Sequence, residues 1–182
     1  LFEGDTIKIG TISPADGPYA IYDNVTKGLQ AWVKSVNDSG GIKAGDGGPF
    51  GCVIVKGDRI AGRGHNRVII KRDPTCHGEM EAIRDACKTL STYDLAGCVL
   101  YTTAEPCPMC LGAILWANIR QVYFGCNRLD SDRIGFRDEV FYKYLKGEAD
   151  ILNASEFGRE ECLKLFEEYK ALDRQVRRVI VV

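Results

Sequence analysis

Two hydrophobic periods alternate along this 182-residue chain, one of two residues and one of three to four. The alternating run Ile7-Lys-Ile-Gly-Thr-Ile12 predicts a strand that stops at Ser13-Pro14, and Val25, Leu29, Trp32, Val33 and Val36 recur at helical spacing over residues 22–36. Asp38-Ser-Gly-Gly41 closes that helix, and the glycine-rich stretch 45–49 leads into two strands, 51–56 and 59–66, joined at Gly57-Asp58. Residues 77–90 read as a helix with Met80, Ile83, Ala86, Cys87 and Leu90 inward. A buried strand at 98–102, a helix at 108–117 and a strand at 121–124 follow. Residues 129–141 show no clear period. Beyond them the pattern predicts a short strand at 151–153, a helix at 159–172 and an apolar, β-like tail at 176–182. Strands alternating with helices predict an α/β fold, a three-layer α/β/α arrangement, and the hairpin at 51–66 makes its central sheet mixed. Three segments are expected: a strand-helix unit at 1–42, the main domain at 43–172 and a tail at 173–182. There is no internal repeat.

Composition narrows the function. A chain that is 45% hydrophobic and 27% charged has the makings of a globular core. Its formal net charge of −1 gives no global basic field toward nucleic acid or anionic lipid. No apolar run approaches the roughly 20 residues that span a bilayer, so no membrane partner is expected. The opening residues Leu1 to Asp5 show no basic segment followed by an apolar one, so no signal peptide is expected. Eight cysteines could form four disulfides, but a chain with its own apolar core needs no staples. Free or metal-bound thiols in a reducing compartment, the cytoplasm, are the expectation.

The chemistry concentrates at His77-Gly-Glu79 and Pro106-Cys-Pro-Met-Cys110. Cys107 and Cys110 are three apart, which puts both sulfurs on one side of a first helical turn, and Pro108 suits the first helical position. The positive end of that helix favours thiolates. His77 and Glu79 would diverge on a regular helix and can converge only at its end. Two helix N-termini against one metal are therefore predicted. One imidazole and two thiolates fill three corners of a tetrahedron, implying one Zn²⁺ per chain with a position left for water and Glu79 as the proton carrier. Taken alone, Cys-x-x-Cys also fits a redox pair or two core cysteines, with His77 a capping residue. His65, the other histidine, reads as structural.

From about Gly45 to Tyr169 the chain resembles the zinc-dependent cytidine/deoxycytidylate deaminase superfamily. The motifs that carry the likeness are Gly47-Gly-Pro-Phe-Gly51, Gly64-His-Asn66, Asp73-Pro-Thr-Cys-His-Gly-Glu79 and Tyr101-Thr-Thr-Ala-Glu-Pro-Cys-Pro-Met-Cys-Leu-Gly-Ala-Ile114. The resemblance implies the cytidine-deaminase-like fold, metal binding by His77, Cys107 and Cys110, proton transfer by Glu79, base contacts from Asn66, and pocket walls from Phe50 and Trp116. Ordinary core packing is the competing account of the two aromatics. Within the superfamily, Ile134-Gly-Phe-Arg-Asp138 followed by Tyr142 is most similar to the bacterial guanine deaminase branch, which implies a second acid, Asp138, facing the purine. An Asp there could equally cap a helix starting near Glu139.

Guanine converted to xanthine and ammonia is thus the leading expectation. A cytosine or nucleoside substrate, a tRNA adenosine, and a non-catalytic zinc-binding hybrid scaffold are the alternatives. Gly78 stands where the family usually has Ala, as in fungal cytosine deaminases. The tRNA adenosine deaminases typically add a basic C-terminal helix, whereas Arg174, Arg177 and Arg178 make a thin phosphate-binding surface. Family resemblance also implies a homodimer, with the tail able to cross to a neighbour. Residues 7–42 instead resemble the opening strand-helix unit of periplasmic branched-chain amino-acid binding proteins. That suggests a chimera, or else a natural, divergent N-terminus.

Overall fold

The computed structural model describes residue 45 and residues 47–171, together with three two-residue strands nearer the N-terminus. The expected helix at 22–36, most of the strand at 7–12, and the tail at 173–182 lie outside the described residues. Strands β1 (Phe2–Glu3), β2 (Thr6–Ile7) and β3 (Ile42–Lys43) form a small antiparallel sheet, with Phe2 opposite Ile7 and Thr6 opposite Lys43. It is separate from the main sheet.

The main sheet contains β4 (Gly51–Lys56), β5 (Arg59–His65), β6 (Cys98–Ala104) and β7 (Gln121–Cys126), in the order β5-β4-β6-β7. β4 runs antiparallel to both β5 and β6, and β6 runs parallel to β7, so the sheet is mixed as expected. Gly57 turns the β4–β5 hairpin at φ +61, a left-handed conformation that glycine takes without a Cβ penalty. Cys52, Ile54, Ala61, Cys98 and Leu100 cover one face of the sheet and pack with Ala82 and Ala86, Leu95, Ile114, Ala117 and Ile119. Val53 and Tyr101 are buried on the opposite strand positions.

Helix α2 (Gly78–Leu90) lies on β5 and β4. Its approach to β5 is set by missing side chains. A Cβ on Gly62 would stand 2.4 Å from the Ala82 carbonyl oxygen, and one on Gly64 would stand 2.2 Å from that of Gly78. The face so pressed is small, and its buried members are Gly78, Glu79, Ala82 and Ala86. Met80, expected inward, is only half-buried; the close crossing leaves room for alanine, not for a long side chain. Ile83, Cys87 and Leu90 pack at the edge of the core.

Other elements differ from the pattern in instructive ways. A four-residue helix, α1 (Val68–Lys71), precedes α2 and was not anticipated; Arg72, at φ +52, ends it. Helix α3 (Pro108–Trp116) follows β6. The aperiodic stretch after β7 contains α4 (Arg128–Arg133), closed at its start by an Asn127–Asp130 capping box, and α5 (Glu139–Leu145). Residues 151–153 form no strand. Ile151 and Leu152 are exposed. Helix α6 (Arg159–Ala171) is as expected to within a residue. Contacts divide the chain into residues 1–139 and 140–182, and the site described next lies wholly in the first unit.

Candidate metal centre and active site

His77 and Cys107 are the N-cap residues of α2 and α3, and both have extended backbones, φ −72 with ψ 160 and φ −65 with ψ 166. Neither side chain caps its own helix. This frees the imidazole and the thiol to face each other, which removes the reading of His77 as a capping side chain. His77 Nδ1 stands 3.6 Å from Cys107 Sγ and 3.6 Å from Cys110 Sγ. All three donors lie within 4.8 Å of one another. A tetrahedral zinc with ordinary Zn–S and Zn–N bonds holds sulfur and nitrogen about 3.5 Å apart, so the donors present fit the ion. All eight cysteines are free, so neither the four-disulfide alternative nor a Cys107–Cys110 redox bridge is present.

The two thiols are electrostatically unequal. A hydrogen bond from Cys110 pulls Cys107 down to about 4, against the opposing effect of burial, and His77 adds to the fall. Cys110, which supplies that proton, is pushed well above the ordinary thiol range, with burial and Glu79 adding to the rise. The pair thus shares one proton where a divalent ion would require none. The hydrogen bond to Cys107 also raises His77, against the opposing effect of burial.

Glu79 is 5% exposed. Its Oε1 lies 2.8 Å from Thr102 Oγ1 and its Oε2 lies 3.5 Å from Cys110 Sγ. Burial raises this carboxyl above the usual range, while the Thr102 hydroxyl partly offsets it. A buried acid poised to hold a proton beside a metal cluster is what proton transfer at neutral pH needs. Thr102 was not anticipated. Only the register, which sets Thr102 opposite Cys52 on β4, turns its hydroxyl toward α2.

Asn66 is buried at the end of β5. Its Oδ1 accepts from Val68 N at 3.2 Å, and its own N–H donates to the Phe50 carbonyl at 2.8 Å. The side-chain N–H₂ is the end it can offer a ligand. Phe50 is half-buried and meets Phe136 edge to face, with centroids 4.6 Å apart. Gly48 permits this; a Cβ there would come within 2.6 Å of the Phe136 ring. Phe136 thereby ties the segment before Asp138 to the 47–50 loop. Asp138 Oδ1 is buried and accepts no hydrogen bond from the described residues. Burial raises this carboxyl, and the Cys107 thiolate adds to the rise. Trp116 is the last residue of α3, six positions past Cys110, and is 58% exposed. His65 closes β5 opposite Gly51.

The sequence profile of the cytidine and deoxycytidylate deaminase zinc-binding region matches residues 27–126. The chain belongs to this family. Guanine deaminase of Bacillus subtilis (strain 168) is 49% identical over 110 residues, covering 60% of this chain and 70% of that protein. The tRNA-specific adenosine deaminase of Buchnera aphidicola subsp. Schizaphis graminum is 33% identical over 121 residues, covering 66% and 79%. The X-ray structure of the Bacillus subtilis guanine deaminase superposes with a TM-score of 0.66 at 35% identity, covering 83% of this chain and 94% of that one. This deaminase is accordingly a zinc-dependent hydrolytic enzyme with the cytidine-deaminase-like α/β fold. Its family match begins at residue 27, inside the segment that resembles a periplasmic binding protein. No helix among the described residues is long and apolar enough to cross a membrane.

Proposed function

We propose that this deaminase acts on a free purine base, converting guanine and water to xanthine and ammonia. The observation that carries the reading is Asp138, whose buried, unpartnered oxygen lies in the electrostatic neighbourhood of Cys107. A carboxylate there accepts hydrogen bonds from the adjacent ring N–H and exocyclic N–H₂ of guanine, a donor pair that neither adenine nor cytosine presents in that form. The 49% identical Bacillus relative named guanine deaminase supports the same substrate.

In this reading His77, Cys107 and Cys110 hold the zinc ion, which supplies Lewis acidity that activates water near neutral pH. Glu79 takes one proton from the attacking water and delivers it to the ring nitrogen, then carries the remaining hydroxyl proton to the departing amine as the ring carbonyl forms. Thr102 holds Glu79 in place through Oε1. Asn66 anchors the base through its amide N–H₂, and Phe50, braced by Phe136, packs on the ring.

A second reading, adenosine in a tRNA loop, is favoured by relatives of that name. There the base would be extruded into the pocket. The net charge of −1 gives it little electrostatic support. Ammonia release measured with guanine, cytosine, adenine and an anticodon stem-loop decides among them. Turnover of guanine alone is expected, and turnover of the stem-loop alone would overturn the proposal.

We further expect a cytoplasmic homodimer. Helix α3 is apolar on nearly every side, yet Met109, Leu111, Leu115 and Trp116 are exposed. A helix of that composition is ordinarily covered. Light scattering giving a monomer with full turnover would remove the dimer from the proposal.

A further inference from the structure

Asp138 lies outside the elements that build the metal cluster, so something must fix its distance from them. The candidate is Arg128, the first residue of α4. Its backbone N–H donates to Glu105 Oε2 at 3.1 Å, and its Nη1 stands 4.0 Å from Glu105 Oε1. Glu105 is two residues before Cys107. On the other side, Arg128 Nε stands 2.9 Å from Glu139 Oε2, and Glu139 directly follows Asp138. That oxygen accepts no well-aligned hydrogen bond, so the contact is Coulombic.

One guanidinium therefore spans the loop that delivers a metal ligand and the residue beside the base-facing acid. The Asn127–Asp130 capping box orders the backbone on both sides of Arg128. Three carboxyls, Glu105, Asp138 and Glu139, crowd this point, and the first and last add to the charging cost that burial imposes on Asp138. Without a cation among them, like charges push the Asp138 segment outward. Because Arg128 is committed to the flanking Glu105 and Glu139, Asp138 itself keeps an oxygen unpaired and open to a ligand.

We infer that Arg128 is a positioning residue: it bridges Glu105 and Glu139 and thereby sets the reach of Asp138 across the zinc site. The inference rests on the reading of Asp138 as the group that meets the purine edge. A misplacement of about 1 Å in a group that orients a substrate costs up to roughly 100-fold.

The test is a double-mutant cycle on the zinc-loaded protein with guanine as substrate, using R128A, R128K, D138N and R128A/D138N, with zinc stoichiometry and thermal midpoint recorded for each. R128A is expected to lose on the order of 10- to 100-fold in kcat/KM, mainly through KM, with zinc unchanged. R128K should recover part of that loss, since an ammonium can reach one carboxylate but cannot span two in fixed geometry. In the D138N background the further loss should shrink to less than about 3-fold, because the two residues act through one contact. Full additivity, loss of zinc with KM unchanged, or unaltered kcat/KM in R128A would each overturn the inference. If D138N is impaired while R128A is not, only the positioning role falls. If wild-type protein fails on guanine, or D138N is unimpaired, the purine reading falls and this inference falls with it.

Discussion

The two sides of this site are built from different materials. His77, Cys107 and Cys110 sit on the first turns of two helices that leave a buried sheet, and Glu79 beneath them is 5% exposed. Phe136 and Asp138 sit on an irregular connection between α4 and α5, where turn hydrogen bonds back to α4 are joined by the Phe50–Phe136 contact and the Arg128–Glu139 pair, with Phe136 40% exposed. The contrast separates labour. Groups proposed to hold the ion and move a proton are fixed by backbone hydrogen bonds and core packing. Groups proposed to choose the base are carried by a segment that can change without disturbing the core.

Breaking the helical side should abolish chemistry. Replacement of Cys107 by Ser is expected to lose both zinc and turnover, read by elemental analysis and ammonia release. Glu79→Gln should keep zinc while kcat falls by roughly 10³-fold or more, since it removes the proton carrier and leaves the ligands. Appreciable turnover in Glu79→Gln would take that residue out of the mechanism.

The next effect tests whether the close α2–β5 crossing supports the cluster. Gly64→Ala places a Cβ 2.2 Å from the Gly78 carbonyl oxygen, one residue from His77, and the obstacle is backbone that cannot swing away. We expect destabilisation of about 2–4 kcal/mol in chemical denaturation together with weaker zinc retention. A stable variant with undiminished zinc affinity would show that the crossing is not what seats His77.

On the loop side the response should be milder. Phe136→Leu removes the edge-to-face contact with Phe50, worth about 0.5–1.5 kcal/mol beyond area burial. KM for guanine should rise several-fold with kcat and zinc little changed. A kcat loss equal to that of Glu79→Gln would collapse the distinction between the two sides.

The smallest effect is on stability in acid. Glu81 is held below the usual carboxylate range: burial raises it, but hydrogen bonds from Lys71 and Arg84 outweigh that. A carboxyl lowered in the folded state stabilises above its unfolded pKa, and that contribution is lost as pH falls through the folded value. Glu81→Gln should therefore cost up to about 1 kcal/mol at neutral pH and nothing in strong acid, because Lys71 and Arg84 are themselves largely solvated. Equal unfolding midpoints for both proteins at pH 7 would dismiss the ion pairs as contributors.

Much of the helical side was readable from spacing. Alternation marks β4 and β5, the Cys107–Cys110 interval with Pro108 marks the start of α3, and the divergence of His77 and Glu79 on a regular helix forces the site to a helix end. Other features needed partners that lie far away in sequence. Thr102 gains its role from strand register, and Met80 lost its expected place because Gly62 and Gly64 draw in a face of small residues. Helix α1 is too short to show a period. The pair Ile151-Leu152 is too short a run to tell a strand from the exposed loop it forms. Asp138 was found through its motif, whereas Arg128 has no local signature; its meaning depends on two acids, one 23 residues before it and one 11 after.

The parallel pairing of β6 with β7 has an evolutionary corollary. Ala104 stands opposite Cys126, and Glu105 N donates to the Cys126 carbonyl at 2.8 Å, so both strands finish at the same rim of the sheet. One exit leads to the thiolates and the other to Arg128, Phe136 and Asp138. A descendant could exchange the second exit wholesale, through insertion, deletion or recombination, while inheriting the hydrolytic machinery intact. Divergence among such enzymes should therefore collect just downstream of β7.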